Sequence, residues 1–411
     1  MNGSADNSSP LHLMRGNRII GDTLLSISCI FSILLISTSP FSVAADGVLY
    51  EQKLNPYPFP ITCPVTIANK TYLFVLDTGA SGNIADPTLK PFLGAYVGDK
   101  TIVTLGNNIN ASLFKTSSIT MGAWKLLNAE IALSDFQGMR NALGLNIKGV
   151  IGAGALRDCA LAVDFDRQTV KALSGNVGAP VGASALKVRV SGNNVPVITE
   201  QLGGRPREFI IDTGANAYIG LQHDTFLEMA ASGIIATSES PSVLHETASG
   251  HVSDTNGYFT KGQLLGLDLK DIPVVDTNSF PNNIGMSFLL GFNFTLDLMN
   301  ERFYFEHRRC PPPIRFSKMI GAILKFSTGS NHVYQLIPGG GAAQDAGIKV
   351  WDHIVRLGSL KEGDIDVVSL YELCLHHAGE TLEVEIERAG EEKPLLKHLK
   401  LPAMEYVFPP R

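Results

Sequence analysis

A chain of 411 residues with 45% hydrophobic content has the length for two or three domains and the composition of ordinary globular cores, not of a disordered or membrane-embedded chain. Its formal charge of −6 at pH 7, with no block rich in Lys and Arg, argues against a nucleic-acid surface, because phosphate binding needs clustered cations.

Arg15 and Arg18 precede the apolar run Leu24 to Ile36, which leads past Pro40 to the small residues Ser42-Val43-Ala44-Ala45. This pattern predicts a signal peptide over 1–45 with cleavage after Ala45, and export to a periplasmic or secreted location. The run is shorter than the roughly 20 apolar residues that span a bilayer; left uncleaved, it would serve as an N-terminal anchor. Met14 offers a second, more compact start. Cys29 lies inside the run, which leaves Cys63, Cys159, Cys310 and Cys374 in the mature chain. Four cysteines allow three full pairings, with unpaired buried thiols as the alternative.

An internal repeat dominates the next 260 or so residues, roughly two domain lengths. Phe74-Val75-Leu76-Asp77-Thr78-Gly79-Ala80-Ser81 returns as Phe209-Ile210-Ile211-Asp212-Thr213-Gly214-Ala215-Asn216, 135 residues later. A second match is read between Gly149-Val150-Ile151-Gly152 and Phe288-Leu289-Leu290-Gly291, at a spacing of 139. Each half then carries two apolar runs broken by a polar turn, Leu161 to Val170 and Leu296 to Phe305, which predicts a hairpin closing each copy. Strands are expected at Phe114 to Met121 and Leu186 to Val190, and a short helix at His223 to Met229. Two copies agreeing in motif, order and spacing indicate duplication of one mainly β domain. The small-residue stretch 174–183 reads as the linker between lobe one (46–174) and lobe two (184–310).

The chemistry comes from the loops. A strand that ends on Asp presents a carboxylate at its tip; the next Thr can both donate and accept, and Gly permits close backbone approach. A pseudo-twofold axis brings two such loops face to face, pairing Asp77 with Asp212. Two neighbouring carboxylates do not both ionise readily, so one holds a proton while the other stays anionic. The anion can then take a proton from water while the acid polarises a carbonyl.

Residues 46–310 resemble the pepsin and retropepsin superfamily of aspartic peptidases. The resemblance implies a bilobal, mainly β acid-protease fold, with Asp77 and Asp212 catalytic, Thr78 and Thr213 bracing the loops, and Gly79 and Gly214 approaching water or substrate. It also implies a cleft between lobes, sufficient in a monomer, for protein or peptide substrates. Ala80 and Ala215 are closer to the retroviral pattern than to pepsin. The loops expected to cover the cleft, 103–108 in lobe one and about 249–251 in lobe two, lack the Tyr of a pepsin flap.

After the stiff Cys310-Pro311-Pro312-Pro313, residues 317–403 resemble a PDZ domain, a partly open β-barrel with short helices. The residues that carry this are Ile337 to Ile348, Asp352-His353-Ile354-Val355 and the alternating strand Leu382 to Arg388. Met319-Ile320-Gly321-Ala322 is the candidate loop for a C-terminal peptide captured by strand addition; Trp351 stands where a glycine is usual. Cys374, His376 and His377 do not share one helix face, so no metal site is expected, and no cofactor is implied. The reading is an aspartic endopeptidase with a module for substrate recruitment or regulation; the alternative is a catalytically inactive peptide-binding or scaffold protein.

Overall fold

The computed structural model of the chain describes residues 47–308 and 320–403, except 56–58, 105–107, 176, 238–242, 248–249, 255, 279, 328–329 and 337–340, together with the strand Phe31–Ile33. Cys29, Cys310, Pro311 to Pro313, Met319 and the expected signal segment other than Phe31–Ile33 lie outside the described residues. Phe31–Ile33 pairs antiparallel with residues 102–104. No helix among the described residues is long and apolar enough to cross a membrane.

The protein is mainly β, and each repeat starts from the same local device. Thr62–Ile67 and Lys70–Asp77 form one antiparallel hairpin, Pro196–Leu202 and Arg205–Asp212 the other. Their two-residue loops, Ala68-Asn69 and Gly203-Gly204, all take positive φ, the turn geometry that matches strand twist. Both aspartate strands are exposed at their first residues and buried over their last four, so each delivers its carboxylate into the interior.

A supporting strand then runs parallel to each aspartate strand. Val150, Ile151 and Gly152 lie opposite Val75, Leu76 and Asp77. In the second repeat Asn283, Ile284 and Gly285 lie opposite Ile210, Ile211 and Asp212. This corrects the match to Phe288-Leu289-Leu290-Gly291. Those residues belong to the short helix Met286–Leu289 and its end, which comes after the supporting strand as the 3-10 turn Ala153–Leu156 does in the first repeat. The spacing from Gly152 to Gly285 is 133 residues, close to that of the aspartates. An apolar run ending in glycine suits a buried helical turn as well as a strand, which is why the run misled.

Beyond the loops, Asn83–Ala85 and Ile219–Leu221 return antiparallel to the supporting strands and pair in parallel with Glu130–Leu133 and Pro273–Asp276. The expected closing hairpins form as Ala160–Asp164 with Thr169–Leu173 and Phe292–Asp297 with Arg302–His307. They pair with each other, Ala160 opposite Asp297 through Val163 opposite Phe294. Val48–Lys53 and Ser184–Lys187 flank them, completing a six-stranded sheet that is symmetric about the junction between repeats. The helix expected from His223 runs to Ala231. The run Phe114 to Met121 divides between Asn108–Lys115 and Ser118–Met121, and Leu186 to Val190 is broken at Val188, a fully buried residue whose N–H donates to the Glu301 carbonyl.

Residues 320–403 build their own sheet, in the order Ala322–Ser327, Ser330–Leu336, His353–Leu357, Thr381–Glu387, Leu395–Lys400, around a core that includes Leu324, Val333, Leu370, Cys374 and Val384. Asp366 caps helix Val367–His376 by a reciprocal box with Ser369, which sets its start. Cys63, Cys159 and Cys374 are buried and free; among the described residues the thiols behave as small core side chains.

Candidate active site

The two Asp-Thr-Gly loops meet between the repeats, and the threonines lock them together. Thr78 Oγ1 donates to the Ile211 carbonyl at 2.6 Å and accepts from the Thr213 N–H at 3.0 Å. Thr213 Oγ1 donates to the Leu76 carbonyl at 2.8 Å and accepts from the Thr78 N–H at 3.0 Å. Each hydroxyl thus uses its donor and an acceptor lone pair across the junction. Neither loop can shift without breaking bonds made by the other.

The carboxylates are held by the loops that carry them. Asp77 Oδ1 accepts from the N–H groups of Gly79 and Ala80 at 2.9 and 3.0 Å, and Asp212 Oδ1 from Gly214 and Ala215 at 2.9 and 3.1 Å. Both side chains are fully buried, and neither Oδ2 receives a hydrogen bond from the rest of the protein. The proton available to those two oxygens is the one the pair itself holds. The glycines make the approach sterically possible: a Cβ at Gly79 would stand 2.5 Å from the Asp212 carboxyl, and one at Gly214 would stand 2.2 Å from that of Asp77.

Burial first, and then the charge of Asp212, push the Asp77 carboxyl well above the ordinary carboxylate range; the N–H groups of Ala80 and Gly79 pull the other way without cancelling this. Burial raises Asp212 as well, against the pull of Gly214 and Ala215. The two titrate as a unit, so the proton belongs to the pair. A half-protonated pair therefore persists to higher pH than isolated carboxylates would allow, leaving one acid and one base at the same point.

Two supports are not evident from residue order. Gly152 and Gly285 each lie under a loop so closely that a Cβ would stand 2.3 Å from the Gly82 or Ala217 carbonyl, and the next residues, Ala153 and Met286, donate N–H bonds at 2.7 Å to Ala80 and Ala215. Asn83 and Asn283 join them: Asn83 Oδ1 accepts from Gly152, and Asn283 Oδ1 from Gly220. The recurrence of an apolar residue then glycine at 151–152 and 284–285 was the available signal; the apolar run at 288–291 obscured it.

The C-terminal candidate residues sit apart from this pair. Ile320 is buried in its unit's core, Gly321 takes φ +70 against Gly341 and Ala342, and Ala322 opens strand Ala322–Ser327 at the sheet edge; Met319 lies outside the described residues. Trp351 adopts φ +72, the conformation a glycine would favour, before Asp352, which is buried in a two-pronged pair with Arg388 at 2.7 Å. Cys374 is buried while His377 faces Glu380 at 2.7 Å. Among the described residues no group of three or more His, Cys, Asp or Glu is placed to hold a metal ion.

No curated protein matches the chain. Residues 63–155, the stretch from the first hairpin through the Asp77 loop to its supporting strand, match the family model described as Aspartyl protease, which supports an aspartyl protease domain here and suggests peptide hydrolysis as its chemistry.

Proposed function

We propose that the chain is an aspartic endopeptidase whose two repeats are the lobes of a pepsin- or retropepsin-like fold, with Asp77 and Asp212 as the catalytic pair. The observation that carries this is the reciprocal lock of Thr78 and Thr213, which holds two buried carboxyls together with both Oδ2 atoms undonated. In the reaction, water bound between the carboxyls gives a proton to the ionised member as its oxygen attacks the peptide carbon. The protonated member donates to the carbonyl oxygen, giving a tetrahedral diol. Collapse of the diol breaks the C–N bond as the amide nitrogen takes the pair's proton, while a diol hydroxyl gives its proton to the other carboxylate as the C=O re-forms, which restores the shared proton and leaves a carboxylic acid and an amine. Thr78, Thr213, Gly79 and Gly214 act by holding geometry.

The hairpins Ala95–Thr104 with Asn108–Lys115 and Val243–Thr247 with Gly250–Asp254 are the elements that would cover substrate in the cleft. Residues 320–403 are read as a PDZ-like module, supported by the edge strand Ala322–Ser327 and the left-handed turns at Gly321 and Trp351; an extended C-terminal peptide is its proposed ligand. The N-terminal segment is read as an export signal, and the partners as protein or peptide substrates.

The test is hydrolysis of denatured casein from acid to neutral pH by the parent, Asp77→Asn and Asp212→Asn. Both variants should lose about 10³-fold in rate while keeping the fold. Cleavage that survives in either variant, or a folded parent that cuts nothing, returns the chain to the peptide-binding alternative.

A further inference from the structure

Helix Val367–His376 of the C-terminal unit faces two ways. Leu370, Leu373 and Cys374 are buried in that unit's own core, whereas Val367, 6% exposed, is buried in the core shared by the two repeats, with Val368 packed beside it. Beside Asp366, the residue before Val367, lies Gly144, the C-cap of helix Gln137–Leu143. The helix rests against strand Ala322–Ser327. A Cβ at Gly144 would stand 2.9 Å from the Cα and Cβ of Asp366 and 3.1 Å from the Phe326 ring, so the two units meet with no room for a side chain at that point. Asp366 is the N-cap of one helix and Gly144 the C-cap of the other; opposite ends of two helix dipoles are brought together.

Helix Gln137–Leu143 needs such support. It has seven residues, with its first N–H, that of Gln137, donating to the exposed Asp135 Oδ1 at 2.8 Å, and helices this short hold their shape through tertiary packing. Its other ties are Arg140, which donates to Asp86 at 2.5 Å and to the Ile147 carbonyl at 3.2 Å, and strand Val243–Thr247 of the second repeat, which runs beside it. Asp86 directly succeeds Asn83–Ala85, the strand that leaves the Asp77 loop. One short helix therefore touches the first repeat's loop strand, the second repeat's hairpin and the C-terminal unit.

We propose that the C-terminal unit braces helix Gln137–Leu143 through Val367 and Val368, and that this docked contact controls how well the cleft between the repeats binds substrate. The control of substrate rests on the peptidase reading; the brace itself does not.

Full-length Val367→Asp, with Val368→Ser as the milder partner should the first fail to fold, separates the brace from the control of substrate by amide hydrogen exchange and by casein kinetics. Exchange across 137–144 is expected to quicken by about tenfold or more, while the amides of Gly79, Ala80, Gly214 and Ala215 keep their protection. KM for casein should rise about fivefold with kcat and the pH profile retained, since the pair is untouched. Unchanged exchange at 137–144 overturns the brace, whether or not the parent cleaves casein. Faster exchange with an unchanged KM overturns the control of binding and leaves the catalytic pair standing. If the parent cleaves nothing, the control of substrate falls with the peptidase reading, and the exchange result alone decides the brace.

Discussion

In the first repeat the strand leaving the Asp-Thr-Gly loop runs directly into Asp86, which is buried and paired with Arg140 at 2.5 Å. In the second repeat the corresponding region is tied by Asp276, also buried, to a half-exposed His223 at 2.7 Å. The loops themselves match bond for bond, because each threonine must satisfy the backbone of the opposite copy and a change in one would orphan groups in both. A few residues outward that reciprocity ends: one repeat pairs the buried acid after its loop strand with a permanently charged arginine, the other pairs a histidine after its loop strand with a buried acid on the adjacent strand. The two repeats agree where each contact constrains the other and differ where it does not.

The largest effect should come from the constrained part. Thr78→Val and Thr213→Val each remove one donor and one acceptor from buried partners, and each should cost roughly 2–4 kcal/mol in denaturant unfolding. Near-equal losses are expected; a twofold disparity would break the symmetry of the two loops.

The peripheral ties should instead behave unequally. Arg140→Ala takes the cation from Asp86 Oδ2 while leaving Thr88 on Oδ1 and should cost about 2–3 kcal/mol, whereas His223→Ala should cost less, since its ring is exposed to solvent. Their pH windows are opposite. Burial pushes Asp86 up, but hydrogen bonds from Thr88 and Arg140 outweigh it and hold the carboxyl below its ordinary range. Its contribution is therefore present above the unfolded carboxylate pKa and lost as pH falls through the folded one. The hydrogen bond to Asp276 raises His223, so its contribution is complete below the unfolded histidine pKa and lost as pH rises through the folded value. Thermal melts of the parent and both variants from about pH 4 to 9, a span that brackets both titrations, read this directly, with the His223→Ala difference vanishing at the alkaline end.

Gly152→Ala and Gly285→Ala sharpen the assignment of the supporting strands. Both force a methyl against backbone at 2.3 Å and should destabilise by about 1–3 kcal/mol or more, as overpacking does. A tolerated Gly285→Ala would reopen the placement of the second support.

The smallest effect should be a gain. Both paired carboxyls, Asp77 and Asp212, are raised in the folded state, so the pair costs stability as pH climbs from the unfolded carboxylate pKa towards the folded values. Asp77→Asn can keep the Gly79 and Ala80 bonds through its Oδ1 and donate to Asp212 through its amide. Its melting temperature should exceed the parent's near neutrality, by about 2–4 °C for each kcal/mol recovered, and approach it in acid. The same test on Asp212→Asn should give a matching gain.

Much of this architecture was legible from residue order. Asp77 and Asp212 at the ends of apolar runs, the closing hairpins and the helix after Gln222 arise from local patterns of burial and turn formation, which a chain carries in its own spacing. The second supporting strand was misread because an apolar run with a terminal glycine serves helix and strand alike. Residue order alone establishes that two carboxylate loops exist and are copies of one another. It took the folded chain to show that their threonines cross, that Gly285 and not Gly291 underlies Asp212, that Arg140 answers Asp86, and that Val367 leaves its own unit to enter another core. These contacts join residues far apart in the chain, and their strength depends on burial that no local pattern encodes.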